Sequence, residues 1–498
     1  MKTYIVVIFT ILFPFIGISQ NSFELEIDMP GTYEYPLDIK QLSNGNYISV
    51  VKRQRPDFDW KELSHLFLIN EYGEIIAHDS IVSNDTIFNT LWVTPYNSGI
   101  LAIGHYGFFN DTTWLKPIGQ FIAYFDLEDN LFDLQWINKY DIRNSGGNLF
   151  YWSSWPVIKQ GTDSCFIACL NEGFNVVENI IFVVNASTGD SLSKINLPMP
   201  SRYKSCDLFF TDDNKLNVSF ELYGQNRHGI GIFKMNNQCN AFIDTLYSHP
   251  FLTSDDSKAE VLPNGNIILA GQCDSVMFDP FDVQRAFGVF LYDPDFNYLS
   301  HHILTNFDSD TASQSAWLET VKVNSSGEVF VLSNYYFQAF PFEGKATKGY
   351  IAKLDSDLHL IWEEYFGGDK FHSLMVIEPT DDGGVIFCSH SNELSDTTSK
   401  TYSWFRKYDL NGFVGIDNDI SYSPLLSIYP NPSNDYLFIE ASDMIRYVKL
   451  FDMKGIQISK QHPNSQFASF DVQSLVPGVY ILQLLVNNVI TNKKIIIK

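Results

Sequence analysis

Two turn signals recur seven times along this 498-residue chain, and they stay in phase with each other. The first follows a strand-like run at Asn44-Gly45, Ser98-Gly99, Gly161-Thr162, Asp212-Asp213, Asn264-Gly265, Ser326-Gly327 and Asp382-Gly383, roughly 56 residues apart. The second trails the first by about 23 to 28 residues, at Ile69-Asn70-Glu71, Phe125-Asp126-Leu127, Val184-Asn185-Ala186, Met235-Asn236-Asn237, Tyr292-Asp293-Pro294, Leu354-Asp355-Ser356 and Tyr408-Asp409-Leu410. Between them lie runs such as Asn266 to Gly271 and Gly288 to Tyr292, whose β-branched and aromatic residues suit a pleated, half-buried surface. No amphipathic helical period interrupts the series.

A unit of this length makes four short strands and cannot cover both faces of its own sheet. Radial stacking of such units covers them, so residues 20–415 are expected to form an all-β, seven-bladed β-propeller. Six or eight blades stay open, because the signals are weakest in the third and fourth repeats. Phe23 to Gly31 reads like the outer strand Ile361 to Gly368. It is therefore expected to complete the last blade and remove two exposed sheet edges.

The carboxyl end has a different character. Tyr429-Pro430-Asn431-Pro432 carries two prolines that fix φ and lack an N–H, which suits a lead-in or a sheet edge. Runs 436–440, 445–451, 456–460, 466–472, 479–486 and 490–497 read as short strands of a small immunoglobulin-like sandwich. Gly455 is placed for a tight hairpin after Asp452, and Pro477-Gly478 for the central pair of a type II turn. Val479 and Tyr480 open the next strand, and Lys493-Lys494 precede a final isoleucine-rich one.

That order of motifs closely resembles the type A C-terminal sorting domain of the bacterial type IX secretion system. The resemblance implies that residues 425–498 are read by the outer-membrane translocon and often removed after passage. Tyr429, Pro430, Asn431, Pro432, Gly455, Pro477, Gly478, Val479, Tyr480, Lys493 and Lys494 carry the signal. Residues 416–424 are polar, end in Pro424 and suit an exposed linker. Segment 351–390 also resembles repeats of secreted bacterial propellers with the same tail.

The amino end agrees with export. Lys2 precedes an apolar run from Tyr4 to Ile18, with small Gly17 and Ser19 where signal peptidase reads, so residues 1–19 are expected to be a cleaved signal peptide. The run is too short to span a bilayer, and no later segment competes, so an integral membrane protein is not expected. The formal charge of −25 lies on the body, since residues 424–498 hold seven Lys and Arg against five Asp and Glu. An acidic body repels phosphate backbones, which argues against nucleic acid. The six cysteines show neither metal-finger spacing nor disulfide-scaffold density, and most are expected to be buried thiols.

Chemistry is harder to locate. Asp293-Pro294-Asp295-Phe296-Asn297 and Asp355-Ser356-Asp357 alternate oxygens as a calcium loop does, yet they fall at the second turn signal, where Asp and Asn cap their own backbone. No cofactor is expected, with calcium left possible. A Gly-x-Ser-x-Gly elbow, a phosphate loop and a His-Glu-x-x-His run are all absent from the sequence. Trp152 and Trp155, in the densest aromatic patch, are candidates for stacking on sugar rings, with Trp92, Trp114 and Trp317 behind them. Two function classes follow. One is a surface or secreted binding platform for polysaccharide or protein. The other is an extracellular hydrolase or lyase with an acidic pair in the channel.

Overall fold

The runs rich in Val, Ile, Phe and Tyr form strands, and the Gly, Asn and Asp signals between them form turns. The computed structural model describes residues 22–28, 33–54, 63–81, 83, 86–108, 119–140, 152–153, 157–158, 162–172, 177–196, 203–211, 215–222, 230–235, 242–247, 258–274, 285–304, 314–335, 346–394, 401–409, 426–429, 433, 436–452, 457–463, 465–486 and 489–498. Residues 1–21 and 410–425 lie outside these, and with them the expected signal peptide and linker. The chain is all-β, with a single 3-10 turn at Glu128–Asn130 among the described residues. It divides into two compact units, Met1–Phe413 and Val414–Lys498.

Among the described residues the first unit contains seven antiparallel sheets of four or five strands, in chain order. The first sheet runs Tyr33–Gln41, Tyr47–Gln54, Leu63–Ile69 and Ile75–Asp79, each strand beside its predecessor. The leading strands of the later sheets are Thr86–Tyr96 in the second, Tyr203–Phe210 in the fourth, Lys258–Val261 in the fifth and Phe371–Pro379 in the seventh. The third leads with the short Trp152–Ser153 and Val157–Ile158, and the sixth with Gln314–Ser315 and Val321–Val323. The last strands of the first, second, third, fifth and sixth sheets are largely exposed or half-buried, as in Ser191–Asn196.

Large side chains fill the spaces between sheets. Ile48, Val50, Val93, Phe121 and Phe125 join the first sheet to the second. Ile268, Phe287, Val331 and Tyr350 join the fifth to the sixth, and Phe330, Phe366, Phe387 and Tyr408 the sixth to the seventh. The third and fourth meet where Phe166 sets its ring edge against Phe210, centroids 5.5 Å apart. One cluster, including Ile39, Val51, Leu101, Ile167, Val376 and Phe405, spans the seventh, first, second and third sheets. Burial of such side chains is worth about 1.5–3 kcal/mol each.

Polar latches supplement this packing. The leading strands bulge at Pro36/Asp38, Thr90/Trp92, Ser205/Asp207 and Leu374/Val376. A bulge re-aims the following side chain. After two of them an aspartate reaches the next sheet: Asp38 Oδ2 accepts the Val93 N–H at 2.9 Å, and Asp207 Oδ2 the Ala259 N–H at 3.3 Å. Asn334 Oδ1 takes the Leu374 N–H at 2.9 Å in the same manner between the sixth and seventh sheets.

Among the described residues the seventh sheet takes three strands from its own part of the chain, Phe371–Pro379, Val385–Asn392 and Tyr402–Tyr408. Its fourth is Phe23–Ile27, antiparallel to Tyr402–Tyr408 with Phe23 opposite Lys407 and Ile27 opposite Ser403. The N-terminal strand is thus where the sequence placed it. Arg406, only 3% exposed, lies 3.0 Å from Glu24 on that strand and 3.8 Å from Glu364 of the sixth sheet. Phe23 also presses on the turn at Gly73 of the first sheet, where φ is +84° and a Cβ would stand 2.5 Å from its ring. Glycine is required there for both reasons.

In the second unit Tyr436–Asp452 is one long strand in place of the two expected. Its first half pairs with Leu426–Tyr429 and Ser465–Asp471, its second with Gln457–Gln461 and Gly478–Val486, and its register shifts between Glu440 and Ile445. Val489–Ile497 pairs with Gly478–Val486, and Leu437, Ile439, Val448, Leu482, Leu484 and Ile495 are among its buried core. The expected type II turn at Pro477-Gly478 is not formed. Gly478 has no positive φ and already pairs with Ile497, while the tight turn lies earlier, where the Leu475 N–H reaches the Val472 carbonyl.

Removing residues 20–28 from the folded chain should cost about 3–6 kcal/mol, the worth of burying Phe23 and Ile27. Urea unfolding of chains starting at residue 20 and at residue 29 measures it. Equal midpoints would contradict the pairing.

Candidate functional site

Counting back along each leading strand shows which side chains the repeat brings together. The first turn is closed by the N–H of Leu42, Thr211, Leu262, Asn324 and Thr380. Two residues before these stand Lys40, Phe209, Glu260, Lys322 and Glu378, and the matching bulge puts Thr94 in Lys40's register in the second sheet. Five of these six, all but Glu378, line a cavity of about 350 Å³ shared by the first, second, fourth, fifth and sixth sheets. Asp207 and Phe210 also line it.

The charged members pair across sheets. Lys40 Nζ donates to Glu378 Oε2 at 2.8 Å, joining the first sheet to the seventh, and lies 3.7 Å from Asp38. Lys322 donates to Glu260 Oε1, joining the sixth to the fifth, with Glu319 Oε2 at 3.4 Å. Burial pushes the Asp38 and Glu260 carboxyls up to about 7 and that of Asp207 up to about 6, against the pull of the neighbouring lysines. Burial also opposes the charge on Lys322, but Glu260 and Glu319 beside it prevail and hold its pKa well above the ordinary lysine value. The arrangement can hold charge, take up protons and offer a mixed polar and aromatic wall to a small group.

None of these residues was a candidate from the sequence. The signal was present all the same: the residue four before the first turn signal is Lys40, Thr94, Glu260, Lys322 or Glu378 in five of the seven repeats. Of the aromatic candidates, Trp92 is buried at 6% exposure and serves the core, whereas Trp317 is 42% exposed. Trp152 sits on Trp152–Ser153 opposite Leu170, but its side chain, Trp114 and Trp155 fall outside the described residues. Cys165, Cys273 and Cys388 are buried free thiols, and burial pushes the Cys165 thiol up to about 12.

The acidic turns cap themselves. Asp293 Oδ1 accepts the N–H groups of Asp295 and Asn297, and Asp355 Oδ1 those of Asp357 and His359. Asp355, Asp357 and His359 place ligand atoms within 4.8 Å of one another on the surface, with Asp355 Oδ2 3.1 Å from His359 Nδ1. Asn70 and Asn324 cap their turns in the same way, so this geometry belongs to the repeat.

Among the residues expected to carry the sorting signal, Tyr429 ends the strand Leu426–Tyr429, and Val479 and Tyr480 lie on Gly478–Val486, with the Tyr480 hydroxyl donating to the Val476 carbonyl at 2.6 Å. Lys493 and Lys494 lie on Val489–Ile497, where Lys493 is exposed. Pro430, Asn431, Pro432 and Gly455 are outside the described residues.

Replacing Lys322 with Met should cost about 3–5 kcal/mol at pH 8, because Glu260 and Glu319 lose their shared counter-charge. Adding Glu260→Gln to that variant should restore part of the loss. Denaturant midpoints measure both, and an unchanged midpoint for Lys322→Met would contradict the ionic account.

Among the described residues no helix is long and apolar enough to cross a membrane. Several solved structures share an overall likeness. PorZ, a surface component of the type IX secretion system of Porphyromonas gingivalis, is 8% identical, with 94% of this chain and 82% of that chain covered at a TM-score of 0.34. Polysaccharide lyase Uly1 is 8% identical, with 76% and 90% covered at 0.45. A DUF4221 family member from Bacteroides vulgatus is 11% identical, with 78% and 98% covered at 0.37. No curated protein matches the chain in sequence. The family described as secretion system C-terminal sorting domain matches residues 427–498. The chain therefore carries a type IX C-terminal sorting domain and is exported across the outer membrane, to the cell surface or beyond.

Proposed function

We propose that the exported body is a seven-bladed β-propeller serving as an extracellular binding platform for a polysaccharide or protein. One observation carries this reading: seven consecutive antiparallel sheets among the described residues, the last completed by Phe23–Ile27. A ring closed in this way is rigid, and it leaves the connecting loops free to vary around a fixed frame. The second unit is then a small sandwich engaging the type IX translocon, and residues 1–19 the signal that takes the chain into the periplasm.

Binding is favoured over hydrolysis by how the acidic groups of the cavity are engaged. Asp207 spends both oxygens on the N–H groups of Leu208 and Ala259, and Glu260 is tied to Lys322. A general acid and a nucleophile need oxygens free to face a substrate. Glycan-array binding by the secreted chain, run beside a polymer-degradation screen, separates the two. Polymer cleavage lost in Glu260→Gln would overturn the binding reading.

Deleting residues 424–498 should leave the first unit folded but held in the periplasm. Cell fractionation with limited proteolysis tests this, and a truncated chain that still reaches the surface would contradict the sorting role.

A further inference from the structure

The leading strands gather more negative than positive charge where water is scarce. Asp38, Asp207, Glu260, Glu319 and Glu378 surround Lys40, Lys258 and Lys322, a surplus of two carboxyl groups over ammonium groups. Asp38 and Glu319 are fully buried, Asp207 and Lys258 nearly so, and Lys40, Glu260, Lys322 and Glu378 keep only a fraction of their surface. Each acid faces both signs. Asp38 meets Lys40, Glu378 and Glu319; Asp207 meets Lys258, Lys322 and Glu319; Glu260 meets Lys322, Glu319 and Asp207.

Three oxygens accept no hydrogen bond from the protein: Asp38 Oδ1 and both of Glu319. A buried carboxylate in that condition is costly, because no hydrogen bond from the protein replaces its hydration. A proton removes the charge and turns an acceptor into a donor that neighbouring oxygens can use.

We propose that this belt is a proton-operated latch between sheets. Protons held by the belt neutralise its surplus at and below neutral pH, and their loss in alkaline solution sets Asp38 against Glu378 and Glu319, Asp207 against Glu319, and Glu260 against Glu319 and Asp207, so that like charges push neighbouring sheets apart. The Asp38 bond to Val93, the Asp207 bond to Ala259 and the Glu260 pair with Lys322 resist that push, since each favours the charged carboxylate. All three frame the cavity, so the repulsion that acid relieves acts across its walls.

Burial raises the carboxyl pKa of Asp38, Glu260 and Asp207 above their ordinary values, to about 7, 7 and 6. For acids raised on folding, the stabilisation is complete below the unfolded value near 4 and is lost as pH climbs through the folded values. The affected window is pH 4 to about 8. Asp293, Asp355, Asp382 and Glu328 are shifted downward and weaken the fold as pH falls toward 4, so the belt is best isolated by difference.

Asp38→Asn is the informative variant, because its amide oxygen can still accept the Val93 N–H. Melting temperatures of the full chain and this variant are compared at pH 5 and pH 8. The difference should move in favour of the variant by about 4 °C or more at the higher pH, the size of shift a single group of this kind produces in a chain this long. Infrared spectroscopy of the native protein should also show a protonated-carboxyl band at pH 7 that fades by pH 9 and is weaker in the variant. A pH-independent difference, or no such band at pH 7, would overturn the latch.

Discussion

The antiparallel pairing of Phe23–Ile27 with Tyr402–Tyr408 is the constraint on which the first unit depends. Without it the seventh sheet would present Tyr402–Tyr408 as an open edge, with a row of unpaired N–H and C=O groups. With it, residues about 380 positions apart in sequence share one sheet, and Arg406 sits between Glu24 on the incoming strand and Glu364 of the sixth sheet. The guanidinium also lies over the Tyr408 ring, 5.0 Å from its centroid. A buried arginine held on several sides loses its compensation if one side leaves, so pairing, packing and charge reinforce each other.

The same leading strands that support the fold create its most unusual chemistry. Five of them bring a side chain of one register to a common cavity, so chance differences between repeats become juxtapositions: lysine in the first and sixth, threonine in the second, phenylalanine in the fourth and glutamate in the fifth, with Glu378 of the seventh paired to Lys40. Salt bridges such as Lys40 to Glu378 join sheets that no backbone ladder connects. Buried ion pairs seldom add much net stability, because desolvation consumes the attraction. Their value here is positional: they specify which sheet stands beside which, and their surplus charge couples that arrangement to protons.

Much of the architecture was legible because repeats write themselves twice. Asn44-Gly45 and Asn264-Gly265 are turns for a local reason, a glycine at positive φ, and that reason needs no knowledge of the fold. The N-terminal strand was legible because Phe23 to Gly31 looks like Ile361 to Gly368. The cavity was not, because no single repeat contains it: Glu260 and Lys322 become partners only when the fifth and sixth sheets are adjacent. Bulges contributed too. The bulge between Pro36 and Asp38 sends the aspartate across to Val93, and nothing in that run announces an extra residue. Pro477-Gly478 misled for the opposite reason, since the glycine suited to a turn was taken into the Gly478–Val486 ladder by its pairing with Ile497.

Hydrogen exchange of the native protein, resolved to individual amides, tests the joining of the two ends of the first unit most directly. Amides of Phe23–Ile27 that bond to Tyr402–Tyr408 should exchange as slowly as those between Val385–Asn392 and Tyr402–Tyr408, because all open together. Fast exchange confined to Phe23–Ile27, with the rest of the seventh sheet protected, would contradict the account, since the sheet would then be complete without its distant strand.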